Sequence, residues 1–294
     1  MQYIVADTVA KTVINPPEII AWYREHARAL PWREPGTSVW GVLLSEVMSH
    51  QTQVERVAPI WRAWIERWPT PAAFAAAGTD EVLRAWGSLG YPRRALRLKE
   101  CAQVIVDEHG GVVPQSVEAL LTLPGVGEYT ARAVACFAYG QNVAVVDTNV
   151  RRVYARAVRG VENLKPRKAE VAEIAELLPR EHGPEFSVGL MELGALVCRA
   201  KQPACEQCPI TQCAWLAAGQ PASDYRPPVQ KFAGTDRQVR GKIMRVLREA
   251  HGPVPQSAID VVWPDAAQRS RALFSLLEDG LATQDAAGYF HLPR

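Results

Sequence analysis

The chain contains 294 residues, of which 48% are hydrophobic and 22% are charged. This composition excludes a chain that is disordered throughout, and the length favours two or three domains. No apolar run approaches the roughly 20 residues of a membrane helix, and residues 1–11 lack the pattern of a secretory signal. We therefore expect a cytoplasmic protein that does not enter a membrane and keeps its cysteines reduced.

The formal net charge is only +2, and arginine supplies 26 of the 33 basic residues. A genome rich in GC would favour arginine codons by itself. The arginines are nevertheless clustered, at positions 93–97 after a Gly-Tyr pair and at positions 151–159 on one predicted helix. A chain near neutrality with local arginine clusters suits an enzyme that binds DNA and releases it again.

Apolar residues recur at helical spacing through most of the first 215 residues. The predicted helices cover residues 19–30, 39–48, 54–68, 80–86, 95–109, 117–123, 129–139, 150–158, 169–178 and 186–198. Proline and glycine residues separate these stretches. The β-branched run at 143–146 is too short to indicate a sheet. The sequence therefore predicts an all-α fold.

A linker rich in glycine, alanine and proline is predicted at residues 217–232, before a small C-terminal unit at 233–294. This unit contains three predicted helices and a hairpin, which is the order of a winged helix. The helices are expected at 236–250, 256–262 and 266–279, and the hairpin strands at 280–283 and 289–292. Basic residues on its first helix suit either the DNA backbone or packing within the chain, and both interpretations stay open. These are Arg237, Arg240, Lys242 and Arg245.

Four of the six cysteines form one cluster with the spacing C-x6-C-x2-C-x4-C. They are Cys198, Cys205, Cys208 and Cys213. Zinc sites usually separate two cysteine pairs by a dozen or more residues, so this compact run favours an iron–sulfur cluster over zinc. Disulfides are a more distant alternative in a cytosolic chain. Cys101 and Cys136 are on apolar helix faces and are expected to be buried thiols.

The string Leu-Pro-Gly-Val-Gly at 123–127 joins two predicted helices. Gly125 and Gly127 permit a tight turn, and backbone amides at the start of the following helix can bind a phosphate oxygen. An ordinary turn between two helices is the alternative.

Two carboxylates are candidates for acid–base chemistry. Glu46 has apolar neighbours on both sides, which would raise the pKa of a general acid, although it could also face solvent on an amphipathic helix. Asp147 follows an apolar run at the start of a predicted helix, where an aspartate is expected to cap the helix. A capping aspartate can still face a pocket.

Together these features resemble the helix-hairpin-helix DNA glycosylase superfamily, and in particular its MutY-type adenine DNA glycosylases. The resemblance covers residues 19–215. The matching strings are LPWR at 30–33, SEVM at 45–48, QTQV at 51–54, LGY at 89–91, LPGVG at 123–127, YT at 129–130, VD at 146–147, NV at 149–150, RV at 152–153 and MELGA at 191–195. Each string is short, but their common order makes the resemblance specific.

The resemblance implies hydrolysis of the N-glycosidic bond of adenine mispaired with 8-oxoguanine or guanine in double-stranded DNA, by a monomeric enzyme. Glu46 would protonate the departing adenine, and Asp147 would stabilise the cationic sugar. Tyr129 and Asn149 would assist them. Because endonuclease III-like relatives carry a lysine at the position of Tyr129, the resemblance implies a monofunctional glycosylase with little or no lyase activity.

The resemblance also assigns binding residues. Trp32, Arg33 and Glu192 would form the adenine pocket, and the hairpin residues Gly125, Val126 and Gly127 would bind the DNA backbone. The residues that wedge into the helix around the opposite base would be Gln51, Thr52, Leu89 and Tyr91. The four clustered cysteines, Cys198, Cys205, Cys208 and Cys213, would hold a 4Fe-4S cluster.

Some positions depart from the family pattern. His50 stands where a glutamine is usual, Val188 replaces a glutamine, and the last cysteine gap is one residue shorter. The C-terminal residues are too few for the NUDIX-like domain that reads 8-oxoguanine in many members, which suggests a short form. The glycosylase is expected to be a bacterial cytoplasmic protein associated with the nucleoid. Two alternatives remain: a thymine or uracil mismatch glycosylase, and a non-catalytic iron–sulfur DNA-binding regulator.

We expect a two-domain glycosylase fold with a small additional unit. Residues 30–142 would form a helical barrel that contains the helix-hairpin-helix. Residues 1–29 and 143–216 would form the cluster domain, and the linker at 217–232 would lead to the winged-helix-like unit at 233–294. The active site would then lie between the first two domains.

Overall fold

The computed structural model describes residues 13–226, 228 and 231–294. The expectation for residues 1–11 lies outside this part of the chain. The helices are α1 (Pro16–His26), α2 (Val39–Ser49), α3 (Val54–Arg67), α4 (Pro71–Ala75), α5 (Thr79–Trp86), α6 (Arg93–His109), α7 (Val117–Leu121), α8 (Glu128–Phe137), α9 (Thr148–Ala157), α10 (Glu170–Ala175), α11 (Gly183–Leu196), α12 (Ala214–Ala217), α13 (Asp236–Glu249), α14 (Gln256–Asp260) and α15 (Ala266–Glu278). Short 3-10 turns occur at Pro31–Arg33 and Cys205–Gln207.

The strands β1 (Thr283–Gln284) and β2 (Phe290–His291) pair antiparallel and form the one sheet found among the described residues. The prediction of an all-α fold is confirmed, because helices make up nearly all of the regular structure in the described residues. Residues 143–146 form no strand, as expected. Within the described ranges, no helix has the length and apolar character needed to cross a membrane.

Local signals explain where the helices begin and end. Pro16 occupies the first turn of α1, where its missing N–H costs nothing. The Thr70 hydroxyl accepts a hydrogen bond from the Ala73 N–H at 3.2 Å and so caps α4, a helix that the sequence pattern did not predict. Gly110 ends α6 with φ of +61°, a conformation that favours glycine.

The described residues divide into two compact units. The first comprises the described parts of Met1–Val42, Gln115–Leu121 and Gly127–Pro228, and the second those of Leu43–Pro114, Thr122–Val126 and Val229–Arg294. This division differs from the expected boundaries in two ways. Helices α7 and α8 group with the first unit because they pack together there, and the C-terminal residues group with the second unit because α13 packs against α5.

The first unit is built around α11, which packs against α1 and α9. Its apolar core contains Ile19 from α1, Val153 from α9 and Phe186 from α11, all buried. Helices α11 and α1 approach closely at Gly189, where an added Cβ would lie 3.1 Å from the Cβ of Tyr23. This packing holds the start of α9 near the middle of α11, where several polar side chains lie.

The second unit contains a cluster of aromatic side chains from α3, α4 and α5. Their ring centroids lie between 5.1 and 5.6 Å apart, in edge-to-face or tilted arrangements. The members are Trp64, Trp68, Phe74 and Trp86. Helix α4 packs against α6, and this rigid framework supports the loops at the N-terminal end of α6.

The C-terminal residues form three helices and the β1–β2 hairpin, in the predicted order. Helices α13 and α15 pack together, and Val254 bridges to Phe290 of β2. Three of the basic residues on α13, Arg237, Arg240 and Lys242, contact the chain itself, and two of them do so within the C-terminal residues. Arg240 donates to Asp279 at 2.5 Å, and Lys242 lies 4.9 Å from the ring centroid of Trp263. These contacts support the packing interpretation for both residues.

Candidate functional site

Asp147 is the N-cap of α9, as its position in the sequence predicts. Its Oδ1 accepts hydrogen bonds from the backbone N–H groups of Asn149 at 2.8 Å and Val150 at 2.7 Å. Its Oδ2 accepts one from the Asn149 side chain at 2.6 Å. Burial raises the pKa of Asp147, although these hydrogen bonds and the charge of Arg152 oppose the increase. A carboxylate held in this way can stabilise a positive charge that develops beside it.

Arg152 connects the start of α9 to α11 and to the cysteine loop. Its Nη2 donates to Asn149 Oδ1 and to the Gly194 carbonyl oxygen, both at 2.7 Å. Its Nε donates to the Cys198 carbonyl oxygen at 2.6 Å. Because Arg152 faces the side-chain oxygen of Asn149, the amide nitrogen of Asn149 faces Asp147. The Asp147 carboxylate is therefore oriented by a network that extends to the first cysteine of the cluster.

Glu192 is fully buried on α11 and accepts hydrogen bonds from two arginines. Arg28 donates to it from Nε at 2.7 Å, from Nη2 at 3.0 Å and from its backbone N–H at 3.0 Å, and Arg33 donates from Nη2 at 2.9 Å. Burial alone would raise the pKa of Glu192, but the two guanidinium groups lower it to about 2. The structure therefore brings together Arg33 and Glu192 of the expected adenine pocket, with Trp32 half-buried beside Arg33 in the chain.

Two further expected catalytic residues lie on helices of their own. Tyr129 is half-buried in the first turns of α8 and packs against Ala133, Cys136 and Val145. Glu46 is half-buried on α2, within a run of buried residues. Asp147 and Asn149 are directly hydrogen-bonded to each other. Tyr129 belongs to the same unit as these two residues, whereas Glu46 belongs to the second unit.

Arg94 organises the loops that contain the expected wedge residues. Its Nη1 donates to the carbonyl oxygens of Val47 at 2.8 Å and His50 at 2.7 Å. Its Nη2 donates to Thr52 Oγ1 at 3.2 Å and to the Gly90 carbonyl oxygen at 3.1 Å. Burial lowers the pKa of Arg94 to about 10, so its guanidinium stays charged at neutral pH. One buried cation thus holds the end of α2 and the turn before α6 in fixed positions.

The expected wedge residues differ in exposure. Thr52 is buried and donates to the Leu89 carbonyl oxygen at 3.1 Å, and the Leu89 side chain is only 3% exposed. Gln51 and Tyr91 are exposed and adopt φ of +54° and +47°, which is uncommon for residues other than glycine. Of the four expected wedge residues, Gln51 and Tyr91 are therefore the two whose side chains lie at the surface of the second unit.

The hairpin turn has the tight geometry that its sequence predicts. The Val126 N–H donates to the Leu123 carbonyl oxygen at 3.1 Å, and Gly125 adopts φ of +78°. An added Cβ at Gly125 would lie 2.9 Å from the Cβ of Arg97, so a larger residue is excluded by both conformation and space. Gly127 is the N-cap of α8 in extended backbone conformation.

A cavity of about 210 Å³ lies beside this turn in the second unit. Its walls include Arg93, Arg94 and Arg97, together with His50. Burial, and then the charge of Arg94, lowers the pKa of His50, so the imidazole is neutral at pH 7. Three arginines thus contribute to the walls of the cavity, although Arg93 is paired with Asp279 and Arg97 with Glu100.

The four clustered cysteines are free thiols, and all are half-buried. Burial, and after it the neighbouring thiols of the other three cysteines, raise the pKa of Cys208 to about 11. Among the described residues, no group of three or more His, Cys, Asp or Glu side chains is arranged around a single metal ion. Arg156 is buried, donates from Nη1 to Cys198 Sγ at 3.5 Å and lies 4.4 Å from the Trp215 ring centroid. Four thiols beside a buried cation fit an anionic thiolate-bound metal centre, and an iron–sulfur cluster is one such group.

Sequence reasoning missed the arginines that orient the expected site residues. Arg28 pairs with Glu192, Arg94 holds the wedge loops, and Arg152 orients Asn149. The only available signal was the clustering of arginines near the matching strings. Which carboxylate or carbonyl each arginine contacts depends on partners up to 164 residues away in the chain.

Comparison with known proteins places the chain in a family. A model of the HhH-GPD superfamily, described as base excision DNA repair proteins, matches residues 44–180. An adenine DNA glycosylase of Mycolicibacterium smegmatis is 58% identical over 281 residues, which cover 95% of this chain and 96% of that protein.

Two solved structures share the fold. A thermostable thymine-DNA glycosylase has a TM-score of 0.66 and 30% identity, covering 72% of this chain and 98% of that one. A non-covalent endonuclease III–DNA complex has a TM-score of 0.61 and 22% identity, covering 69% of this chain and 94% of that one. The chain therefore belongs to the HhH-GPD superfamily of base excision DNA repair proteins, within its MutY-type adenine DNA glycosylase branch.

Proposed function

We propose that this chain hydrolyses the N-glycosidic bond of adenine mispaired with 8-oxoguanine or guanine in double-stranded DNA, without a lyase step. The observation that carries the proposal is the Asp147 carboxylate, oriented by Asn149 at the start of α9 and made a stronger base by burial. High identity to an adenine DNA glycosylase over nearly the whole chain supports the choice of adenine. The enzyme would act as a monomer on bacterial chromosomal DNA in the cytoplasm.

Adenine is a poor leaving group as an anion, so it must be protonated as it departs. Glu46 is the proposed proton donor, and the buried residues on both sides of it in α2 support a carboxyl group that holds its proton. As the bond from the base to C1′ breaks, the sugar acquires positive charge. Water then adds to C1′, and the products are free adenine and an abasic site.

Asp147 would stabilise the cationic sugar and direct the water molecule, as the second carboxylate does in glycoside hydrolysis. Asn149 and Tyr129 are its proposed assistants. The phenol of Tyr129 cannot form the Schiff base that a lysine forms, which supports a monofunctional reaction. Strand cleavage would then occur only after treatment of the product with alkali.

The adenine is stacked inside the duplex and must be flipped out before it can react. Trp32, Arg33 and Glu192 are the proposed pocket for the flipped base. The permanently ionised Glu192 would keep Arg33 in place rather than exchange protons itself. Gln51 and Tyr91 would enter the space around the opposite base, with Thr52 and Leu89 supporting them from buried positions.

Cys198, Cys205, Cys208 and Cys213 are the proposed ligands of a 4Fe-4S cluster. The cluster would supply a rigid cross-link for the loop after α11 rather than a step of the hydrolysis. Arg156 would balance its negative charge through Cys198, and Arg152 would connect the same residue to Asn149. The amides at Gly125, Val126 and Gly127, with the nearby arginines, are the proposed contacts to the DNA backbone.

The test is single-turnover base release from duplexes that contain adenine opposite 8-oxoguanine, adenine opposite guanine, and thymine or uracil opposite guanine. We expect release of adenine alone, and strand breaks only after alkali. The Glu46→Gln variant is expected to lose about 10²- to 10⁴-fold in rate, the usual contribution of a general acid. Glu55→Gln, at an exposed glutamate in the first turn of α3, is the matched control and should retain the rate.

One structural neighbour favours a second candidate. The match to the thymine-DNA glycosylase structure covers 98% of that chain at 30% identity. A thymine or uracil mismatch activity is therefore the alternative. Release of thymine or uracil without adenine would establish that alternative. DNA binding without release from any duplex would instead indicate a non-catalytic DNA-binding protein.

A further inference from the structure

The exposed ring of Tyr91 lies near two guanidinium groups. Arg94 of α6 is 5.7 Å from the ring centroid, and Arg237 of α13 is 5.5 Å from it. Arg237 Nη1 also donates a hydrogen bond to the Tyr91 hydroxyl at 2.5 Å. A cation at the face of an aromatic ring and a hydrogen bond to its hydroxyl together restrict the rotation of the side chain. The C-terminal residues thus hold a residue of the turn before α6.

A second contact fastens the C-terminal residues to the same turn. Arg93, two residues after Tyr91, forms an ion pair with Asp279 at 3.2 Å. Asp279 also accepts from Arg240 of α13 at 2.5 Å, so this carboxylate joins the start of α6 to the C-terminal helices. Further along, Arg84 of α5 donates to the Arg248 carbonyl oxygen. The contact at Tyr91 is therefore one of several within a single compact unit.

Tyr91 has properties of a residue that works at a surface. It is 40% exposed and adopts φ of +47°, a conformation that is strained for an aromatic residue unless its surroundings enforce it. Arg237 is half-buried and lies 5.3 Å from the ring centroid of Phe232 as well, which fixes its guanidinium between two rings. The turn and the arginine are therefore both held in place while the ring remains accessible.

We propose that Arg237 is a positioning residue that orients Tyr91 toward the base opposite the excised nucleotide, so that the C-terminal unit takes part in opposite-base discrimination. This inference rests on the proposed function, in which Tyr91 enters the duplex beside that base. A ring held at its face and at its hydroxyl can distinguish two purines by shape, whereas a freely rotating ring adapts to both. Arg237 acts through Tyr91 and does not itself touch the reacting nucleotide.

The experiment compares single-turnover adenine release opposite 8-oxoguanine and opposite guanine in the full-length protein. The variants are Arg237→Ala, Arg237→Lys, Tyr91→Phe and the double variant Arg237→Ala with Tyr91→Phe. Arg271→Ala is the matched control, because Arg271 is an exposed arginine of α15 whose ion pair is with Asp236 and not with the turn. In parallel, a duplex with 2-aminopurine next to the opposite base reports by fluorescence whether a side chain enters the stack on binding.

We expect Arg237→Ala to move the ratio of the two rates toward one by about 3- to 10-fold, the effect of one cation–π contact and one hydrogen bond. The 2-aminopurine signal should decrease in the same variant. Tyr91→Phe removes only the hydrogen bond, so it should change the rate ratio less. Arg237→Ala should change the rate ratio less in the Tyr91→Phe background than in the wild-type protein. Arg237→Lys should retain part of the ratio, because an ammonium group can still contact the ring. Arg271→Ala should change neither quantity.

The inference is overturned if Arg237→Ala lowers both rates equally, as a general loss of DNA affinity would, or leaves both readouts at wild-type values. The thermal midpoint of each variant separates these outcomes from a loss of folding. If the wild-type protein releases no adenine from either duplex, the proposed function fails. The 2-aminopurine signal of wild type against Arg237→Ala then decides by itself whether Arg237 positions Tyr91 at DNA.

Discussion

The start of α9 and the middle of α11 each contain a carboxylate shielded from water, and the two groups titrate in opposite directions. Asp147 accepts only from amide groups, and burial raises its pKa. Glu192 accepts from two guanidinium groups, which lower its pKa to about 2 despite burial. Both residues belong to the first unit and are held by short hydrogen bonds. The difference arises from the charge of the donors and not from the number of bonds.

The two regions are connected by their arginines. Arg152 is connected to Asp147 through Asn149, whose side chain accepts a hydrogen bond from Arg152 and donates one to Asp147. Arg28 and Arg33 bind Glu192 directly. The intervening amide keeps the positive charge of Arg152 near Asp147, which it compensates in part, without the direct ion pairs that Glu192 forms. We infer that the Asp147 charge is available to a cationic sugar, whereas the Glu192 charge is already neutralised by Arg28 and Arg33.

The largest effect is expected for a variant that keeps the helix cap at position 147 but removes the charge of Asp147. Asparagine caps helices as well as aspartate does, so Asp147→Asn should keep the stability within about 1 kcal/mol of wild type. The adenine-release rate should nevertheless decrease by about 10²- to 10³-fold, the scale of losing one preorganised electrostatic contact. Single-turnover kinetics and chemical denaturation measure the two quantities.

Asp265→Asn is the matched control for Asp147→Asn. Asp265 caps α15 by accepting from the Gln268 N–H at 3.0 Å, and it is exposed and remote from Asp147 in the chain. It should change neither rate nor stability appreciably. A rate for Asp147→Asn within about 3-fold of wild type would mean that the aspartate serves only as a helix cap.

Glu192→Gln should affect stability most. The pKa decreases from an ordinary 4.5 to about 2, so ionised Glu192 contributes about 3 kcal/mol to the free energy of unfolding at neutral pH. A lowered carboxyl pKa stabilises the fold above 4.5, and the contribution disappears as pH decreases toward 2. The difference in unfolding free energy between wild type and variant should therefore shrink between pH 7 and pH 3.

Glu185→Gln on the same helix is the matched control for Glu192→Gln. Glu185 forms the same kind of ion pair, with Arg24 at 2.7 Å, but the Arg24 side chain is 57% exposed. An exposed pair is worth about 0 to 1 kcal/mol, so this variant should unfold almost like wild type. Equal losses for both variants would contradict the conclusion that burial of the arginine–carboxylate pair determines its strength.

The sequence predicted much of this arrangement, and the particular residues show where prediction ended. Asp147 and the hairpin glycines were found because a helix cap and a tight turn depend on neighbours in the chain. The helix boundaries shifted by a few residues, as for α1, which begins at Pro16 and ends at His26. Short helices such as α4 were missed because five residues are too few to show a helical period.

Long-range contacts could not be predicted in the same way. The bond between Arg237 and Tyr91 joins residues 146 positions apart, and neither residue type specifies the other. The burial of Leu89 and the convergence of carbonyl groups on Arg94 likewise result from packing of distant helices. Family resemblance names residues that are important, but their partners emerge only when the chain is folded.

A smaller effect is expected where the two carboxylate-bearing helices meet. A Cβ added at Gly194 would lie 2.8 Å from the backbone oxygen of Asn149 and 2.7 Å from its Cβ. Because the backbone cannot move away cheaply, Gly194→Ala should displace Asn149 from Asp147. We expect a loss of about 1 to 3 kcal/mol in stability and a decrease of about 10-fold in rate.

Gly241→Ala is the matched control for Gly194→Ala. Gly241 also lies within a helix, α13, but an added Cβ there meets no atom within 4 Å. That variant should be as stable as wild type or more stable by about 0.5 to 1 kcal/mol, because alanine favours helix. If Gly194→Ala behaved like Gly241→Ala, the position of Asn149 would not depend on the contact between α9 and α11.

The smallest expected effect is a change in pH dependence. In the proposed mechanism Asp147 must be ionised to stabilise the sugar cation, so the rate should fall as pH decreases through its pKa. The Asn149 side chain donates to Asp147 Oδ2 and so opposes the increase that burial causes. Asn149→Ala should therefore raise the pKa of Asp147 further and move the acid limb of the pH–rate profile to higher pH.

The position of that limb distinguishes two roles of Asn149. On the plateau above the acid limb of each profile, any remaining loss reports the direct assistance of Asn149, which we expect to be about 3- to 10-fold. Asn142→Ala is the matched control, because its side chain donates to the Pro179 carbonyl oxygen at 2.8 Å and not to a carboxylate. An acid limb that stays in place, or moves to lower pH, would show that the ionisation of Asp147 does not limit the reaction. The Asp147 charge at the start of α9 would then lose its proposed role, and the contrast with Glu192 would be one of structure alone.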